Sequence, residues 1–178
     1  IKIDTNHTNA NYNLGVAHYN LRNFQKAKVF FKKTVEIQPN YAIAFVSLAN
    51  VNVELKEYEN AVSNYQKAIT INPKLVSAHN NLGLLFRILN DYKNSISCYE
   101  KAIELKPDHG GAHHNLALAF KELGNFERAI KSHEMAVKCE PENLTNFFYL
   151  CELKKDILNT SLKNKIEKIL KNKNPSVS

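Results

Sequence analysis

Apolar and polar positions alternate with a helical period along most of this chain. Within residues 76–109, one apolar stripe at three- and four-residue spacing comprises Leu82, Leu85, Phe86 and Leu89. Asn90 and Asp91 mark a turn, and a second stripe comprises Ile96, Tyr99 and Ile103. Pro107 cannot continue a helix and therefore ends it. The pattern predicts two antiparallel helices, over about residues 77–89 and 92–105.

The same arrangement returns every 34 residues, in the blocks 8–41, 42–75, 76–109 and 110–143. We number the places in each block from 1 to 34. Small residues occupy places 8, 20 and 27 of every block. Place 8 holds Gly15, Ala49, Gly83 and Ala117, and place 20 holds Ala27, Ala61, Ser95 and Ala129. Place 27 holds Thr34, Ala68, Ala102 and Ala136. Place 32 is always proline, at Pro39, Pro73, Pro107 and Pro141. A fixed period with these places in phase indicates a repeat array, and small side chains let helix axes approach to about 8–10 Å.

Larger residues recur between the small ones and are predicted to fill the core. Place 7 holds Leu14, Leu48, Leu82 and Leu116. Place 24 holds Phe31, Tyr65, Tyr99 and His133, and place 17 holds Phe24, Tyr58, Tyr92 and Phe126. Cys98, Cys139 and Cys151 have no paired spacing, so we interpret them as small buried apolar residues in a reducing compartment. That interpretation is the basis for expecting a cytoplasmic protein.

These four blocks resemble the tetratricopeptide repeat family, whose unit is a pair of antiparallel helices, A and B. The resemblance implies an all-α fold, an α-α superhelix or solenoid, that binds peptides or proteins. Four repeats are expected, at residues 8–41, 42–75, 76–109 and 110–143. Residues 1–7 align with residues 103–109 and look like the end of a preceding repeat in a longer array.

The pattern fades after the fourth block. Residues 144–158 are predicted to form helix A of a partial fifth repeat. Residues 159–173 are predicted to form a C-terminal capping helix, with an apolar face of Leu162, Ile166, Ile169 and Leu170. The remaining residues, 174–178, are expected to be a disordered tail.

The resemblance also implies a binding groove, because places 2, 5, 6, 9, 12 and 13 of helix A line the concave surface in this family. The candidate groove residues are Asn13, Val16, Ser47, Asn50, Asn80, Asn81, Leu84, His114, Asn115, Leu118 and Tyr149. A carboxamide both donates and accepts, so it can pair with a peptide bond without selecting a side chain. The asparagines at place 6 resemble the asparagine ladder of O-linked N-acetylglucosamine transferases, from which Ser47 and Tyr149 depart. The alternative is that they only reflect a common family residue in an asparagine-rich chain.

Several other site classes are not expected. The clamp that some family members use for acidic chaperone tails needs lysine and arginine at groove places where this chain has Tyr12, Ser77 and Gly111, among others. His109, His113 and His114 lack the cysteine or carboxylate partners of a convincing zinc site. No catalytic motif, and therefore no catalytic residue or cofactor, emerges. We expect no metal site.

Charge is concentrated at the end of the chain. Residues 154–173 carry seven lysines against two acids, +5 (7 − 2) of the net +7. They lack interleaved aromatics for stacking bases, so a solvated capping face is favoured over a nucleic-acid or membrane surface. Two functions remain open. One is a non-catalytic scaffold that binds an extended peptide, and the other is the substrate-recruiting arm of a larger glycosyl- or sulfo-transferase. The ligand and the oligomeric state do not follow from the sequence.

Overall fold

The computed structural model describes residues 7–155, which are helical apart from short turns. Eight helices are bounded as follows: α1 Thr8–Asn20, α2 Phe24–Ile37, α3 Ala42–Glu54, α4 Tyr58–Ile71, α5 Val76–Ile88, α6 Tyr92–Leu105, α7 Gly110–Glu122 and α8 Phe126–Cys139. A further helix, α9, occupies residues 144–155 at the end of the described part. The two helices predicted in block 76–109 match α5 and α6 to within one residue at each end. The predictions for residues 1–6, for the capping helix 159–173 and for the tail 174–178 lie outside the described residues.

The chain divides into two compact units, Ile1–Pro107 and Asp108–Ser178. In the first unit, three hairpins pair α1 with α2, α3 with α4, and α5 with α6. Each second helix also packs on the next first helix, so that α2 contacts α3 and α4 contacts α5. The first helices touch one another as well, α1 against α3 and α3 against α5. We call the surface formed by α1, α3 and α5 the helix-A face.

The second unit contains the hairpin of α7 and α8, and α9 lies in the same unit. Among the described helices, none has the combination of length and apolar character needed to cross a bilayer.

The small places are buried in every repeat, as the period predicts. All twelve residues at places 8, 20 and 27 are buried. The place-24 rings are buried too, with at most 2% exposure at Phe31, Tyr65, Tyr99 and His133. Close helix packing therefore rests on a small residue on one helix of a hairpin facing a ring on the other.

Some of the predicted core positions are not buried. Leu14 is 45% exposed, whereas the other three residues at place 7 are buried, because α1 has no earlier hairpin against it in the described residues. Phe126 is 40% exposed, in contrast to the half-buried aromatics at the same place of the other repeats. All three cysteines are free thiols. Cys98 and Cys139 are half-buried and Cys151 is exposed, so the prediction that the three are buried is wrong for Cys151 and met only in part by the other two.

The turn between the two helices of each hairpin repeats one geometry with four different residues. Place 15 has a positive φ in Arg22, Lys56, Asn90 and Gly124, between 57° and 71°. At the end of α5, Asn90 N–H donates to the Arg87 carbonyl (3.0 Å) and Asp91 N–H donates to the Phe86 carbonyl (2.8 Å). These two bonds are the helix-terminating pattern that usually requires glycine. Gly124 fits that preference, and Asn90 is the other residue type that commonly adopts it. Arg22 and Lys56 adopt the same turn without such a preference.

Gly83 provides a direct test of the packing. A Cβ added at Gly83 would lie 2.8 Å from Tyr99 Cε1 and 3.1 Å from Cys98 Cβ. Overpacking typically costs about 1–3 kcal/mol, against a helix-propensity gain of up to about 1 kcal/mol for alanine. We therefore predict that Gly83→Ala lowers the free energy of unfolding, measured by urea denaturation.

Gly111→Ala is the control for this substitution. The added Cβ would meet only the His109 ring, at 3.3 Å, so stability should stay unchanged or rise. Equal losses in the two variants would contradict the assigned packing.

Candidate functional site

The predicted groove residues of the first unit lie on the helix-A face, and none of them is buried. A cleft of about 60 Å³ is lined by Val16, Tyr19, Phe31, Ser47 and Asn50. A larger cleft of about 220 Å³ is lined by Tyr19, Asn50, Val53, Glu54, Tyr65, Asn81, Leu84, Leu85 and Ile88. Tyr19 and Asn50 belong to both clefts. The structure thus brings five predicted residues together, namely Val16, Ser47, Asn50, Asn81 and Leu84.

A carboxamide network connects α3 to α5 at the larger cleft. Asn50 Oδ1 accepts from the Tyr65 hydroxyl (2.5 Å) and from Asn81 Nδ2 (3.2 Å). Asn81 Oδ1 in turn accepts from Asn80 Nδ2 (3.2 Å). Asn50 Nδ2 takes no part in these bonds, so it remains a donor at the cleft. These two bonds fix the orientation of the Asn50 carboxamide. An exposed asparagine without such bonds would rotate freely.

The remaining polar groups of the helix-A face are held in different ways. The hydroxyls of Tyr12 and Ser47 lie 3.2 Å apart, and Ser47 also donates to the Ile43 carbonyl (3.1 Å). Asn13 is exposed on α1 and lines neither cleft. The interruption of the asparagine pattern at Ser47 therefore coincides with a hydroxyl pair between α1 and α3.

Several residues that line the clefts are not among the candidate groove residues predicted from the sequence. Glu54 contributes the carboxylate of the larger cleft, next to Tyr19. Burial raises the pKa of Tyr19, and the neighbouring Glu54 carboxylate raises it further. Tyr19 and Val53 are at place 12, and Glu54 and Ile88 are at place 13. Both places line the concave surface in the family pattern, so place alone was enough to identify these four residues. Tyr65 could not be found in this way, because its place marks it as core and only its hydroxyl reaches the cleft.

Two of the predicted groove residues of the second unit, His114 and Tyr149, contact a buried histidine. His133 is fully buried, stacks on Tyr149 with ring centroids 5.8 Å apart, and meets the His114 ring edge at 5.2 Å. Neither nitrogen of His133 has a hydrogen-bond partner among the described residues. Burial lowers the pKa of His133 to about 4, with a further contribution from His114 and Lys121. The side chain is therefore a neutral packing ring, as its place predicts. The other two groove residues, Asn115 and Leu118, are half-buried on α7.

Two further histidines, His109 and His79, have structural contacts. His109 Nδ1 accepts from the Ala112 N–H (3.1 Å) and caps α7. His79 Nε2 lies 2.9 Å from the Pro73 carbonyl oxygen. Within residues 7–155, no group of three or more histidine, cysteine, aspartate or glutamate side chains is arranged to hold a metal ion.

Comparison with known proteins places the repeats in a family. Models described as tetratricopeptide repeat match residues 8–41, 76–109 and 98–131, and a model described as TPR repeat matches residues 49–87. No curated protein sequence matches this chain significantly.

Many solved structures share the fold. A crystal structure of MamA is 26% identical, with a TM-score of 0.73, and the match covers 80% of this chain and 83% of that one. Pseudomonas aeruginosa pilF is 22% identical, with a TM-score of 0.79, over 85% of this chain and 69% of that one. YrrB, described as a TPR protein with an unusual peptide-binding site, is 20% identical, with a TM-score of 0.71, over 82% and 75% of the two chains. The predicted fold class is confirmed, whereas the likeness to O-linked N-acetylglucosamine transferases stays a prediction.

The carboxamide network predicts a specific stability effect at Asn50. Asn50→Ala would leave the Tyr65 hydroxyl, on a side chain only 2% exposed, without its acceptor. The expected loss is about 1–3 kcal/mol of unfolding free energy. The double variant Asn50→Ala, Tyr65→Phe lacks the hydroxyl that has lost its acceptor. The double variant should therefore be at least as stable as Asn50→Ala alone. Urea denaturation of the two single variants and the double variant tests this coupling, and simple additivity of two losses would contradict it.

The buried ring of His133 predicts a pH dependence of stability. Its pKa in the folded chain, about 4, lies below the ordinary value of 6.5. Between these values the unfolded chain binds a proton that the folded chain does not, so stability is present above pH 6.5 and lost as the pH falls towards 4. The expected loss between pH 7.5 and pH 5 is about 2 kcal/mol.

His133→Tyr should remove most of that pH dependence, because the tyrosines at the same place, Tyr65 and Tyr99, are buried in their repeats. The measurement is chemical denaturation of both chains at pH 7.5 and pH 5. His7→Gln, at an exposed position, is the control. A pH dependence that survives in His133→Tyr would assign it to other groups.

Proposed function

Because this chain belongs to the tetratricopeptide repeat family, we propose that it is a non-catalytic scaffold that binds an extended peptide segment of a partner protein on the helix-A face of its first unit. The observation that carries the proposal is the pair of adjoining clefts that meet at Asn50. Both clefts are lined mainly by apolar and amide side chains, and such surroundings suit reversible binding of a peptide.

The polar part of the proposed site recognises the peptide backbone. Asn50 Nδ2 would donate to a peptide carbonyl, while the Asn50 Oδ1 is held by Tyr65 and Asn81. A donor that is already oriented loses little conformational entropy when it binds. One neutral hydrogen bond of this kind contributes about 0.5–1.5 kcal/mol, so the backbone contact selects an extended main chain and not a particular residue.

The apolar part of the site provides most of the binding energy. Leu84 is half-buried and Ile88 is 46% exposed on α5, and Val53 lies beside them on α3. A partner side chain covering these three residues would remove apolar surface from water on both sides, at about 25 cal/mol per Å². The preferred peptide therefore carries an aliphatic or aromatic residue at the position that enters the larger cleft.

The fold relationship supports the same function. YrrB, which shares this fold, is described as having an unusual peptide-binding site. At 20% identity this relationship supports a shared fold, but it does not support shared peptide contacts. The chemistry of the proposed site therefore rests on the residues of this chain.

A selection from a displayed library of random seven-residue peptides, using the intact chain as bait, provides probes for the test. Leu84→Asp places a charge in the larger cleft and should weaken binding of the selected peptides by roughly tenfold to a hundredfold, measured by calorimetry. Leu89→Asp is the matched control, because Leu89 is 43% exposed and lines neither cleft of the helix-A face. Undiminished binding by Leu84→Asp, or an equal loss in Leu89→Asp, would rule out this site.

A further inference from the structure

A third cleft opens on the opposite side of α3 from the helix-A face. We call it the outer cleft. It has a volume of about 280 Å³ and is lined by Lys28, Lys32, Val35, Glu36, Phe45, Leu48, Asn52, Asn60, Asn64 and Lys67. Asn52 follows Asn50 by two residues, which places the two side chains about 200° apart around the helix. The outer cleft is therefore separate from the proposed peptide site.

The outer cleft coincides with two substitutions within the repeat pattern. In the first repeat, places 11 and 23 are His18 and Phe30, whose rings stack in parallel with centroids 5.4 Å apart. In the second repeat the same places are Asn52 and Asn64, and both line the cleft. Place 11 is phenylalanine in the third and fourth repeats, at Phe86 and Phe120. Two carboxamides occupy less volume than the His18 and Phe30 rings, so they leave open the space that this ring pair fills in the first repeat. Place 23 is Cys98 and Ser132 in the third and fourth repeats.

Asn52 is the unusual residue of this cleft. It is only 1% exposed, yet its Oδ1 has no hydrogen-bond partner among the described residues. A buried carboxamide without its hydrogen bonds is costly to folding. Its oxygen and nitrogen can exchange places by rotation of the amide, so the group can present a donor to the cleft. The third and fourth repeats have phenylalanine at this place, so a buried carboxamide here makes Asn52 the candidate ligand-binding group of the cleft.

The charges around the cleft are positive. Three lysines and one carboxylate, Glu36, line it, which gives +2 (3 − 1). Lys28 is paired with Glu57 outside the lining (2.5 Å). Lys32 and Lys67 are exposed at the mouth of the cleft, and Lys67 Nζ lies 5.9 Å from the centre of the Phe45 ring. Asn60 Nδ2 donates to Glu57 Oε2 at 3.4 Å.

We propose that the outer cleft binds a phosphate group, with Asn52 and Asn64 donating from the floor and Lys32 and Lys67 neutralising its charge from the mouth. A phosphate ester carries about −1.5 to −2 charge and three acceptor oxygens in a tetrahedral arrangement. Donors that approach from the floor and from both sides match that arrangement better than they match a planar carboxylate with two oxygens. The ammonium groups supply charge-assisted bonds, which are stronger than neutral ones.

Nuclear magnetic resonance of the asparagine side-chain amides in the intact chain tests the proposal. The probes are inorganic phosphate and N-acetyl-phosphoserine amide, with N-acetyl-serine amide and sodium chloride of equal ionic strength as reference solutes. Saturable shifts of the Asn52 and Asn64 amides are expected with the phosphate probes, and no shift at Asn13. Tighter binding of the phosphoserine derivative would assign the phosphate to a phosphorylated partner protein, whereas tighter binding of inorganic phosphate would assign it to the free ion.

Asn52→Phe, which restores the residue of the later repeats, should fill the cleft and abolish the Asn64 shift. Lys32→Gln and Lys67→Gln should each weaken binding about fivefold. These two exposed substitutions keep the test decisive even if Asn52→Phe does not fold. Lys101→Gln, at the same place of the third repeat as Lys67, is the matched control and should have no effect. Shifts that sodium chloride reproduces, or that persist unchanged in Asn52→Phe or in both lysine variants, overturn the proposal.

Discussion

The contact between the small residue at place 8 and the ring at place 24 sets the geometry of each hairpin. In the third repeat an added Cβ at Gly83 would lie only 2.8 Å from the Tyr99 ring, and in the first repeat Gly15 faces Phe31 even more closely. This close approach packs the second helix of a hairpin against one side of the first helix. The opposite side of each first helix is therefore left to form the helix-A face. The ring also reaches that face, because the hydroxyl of Tyr65 bonds to Asn50. The packing contact and the orientation of the proposed peptide donor thus depend on the same side chain.

Repetition accounts for the fold, whereas departures from repetition account for the candidate sites. Places 8, 20 and 27 are buried in all four repeats whichever small residue they carry. In contrast, the proposed peptide site depends on Asn50 and Asn81 bonding across two repeats, and the outer cleft depends on Asn52 and Asn64 standing where the first repeat has a ring pair. A polar residue at a place that packs elsewhere costs stability, and such departures from a pattern are expected at functional or strained sites.

The helices were predictable to within about one residue because four aligned blocks average out the local ambiguity that a single helix would leave. The positions on the helix-A face were predictable for the same reason, since place fixes the direction of a side chain on a helix. The place of a residue does not predict which side chain of a neighbouring repeat will form a hydrogen bond with it. Asn81 was predicted as an exposed contact residue, but it bridges Asn80 and Asn50. Phe126 was assigned to the core by its place and is 40% exposed, because burial depends on the neighbours that cover a residue as well as on its direction.

The two asparagines of α3 illustrate two different ways of preparing a polar group for binding. Asn50 has its oxygen bonded to two donors within the protein, so its amide nitrogen is held in one orientation before a ligand arrives. Such a group gains affinity because little ordering remains to be done. Asn52 is buried without a partner for its oxygen, so the folded chain carries the cost of desolvating it. After rotation of the amide, a phosphate oxygen that accepts a hydrogen bond from the Asn52 nitrogen would recover part of that cost. The first arrangement favours reversible recognition of a common backbone, and the second favours selection of one chemical group.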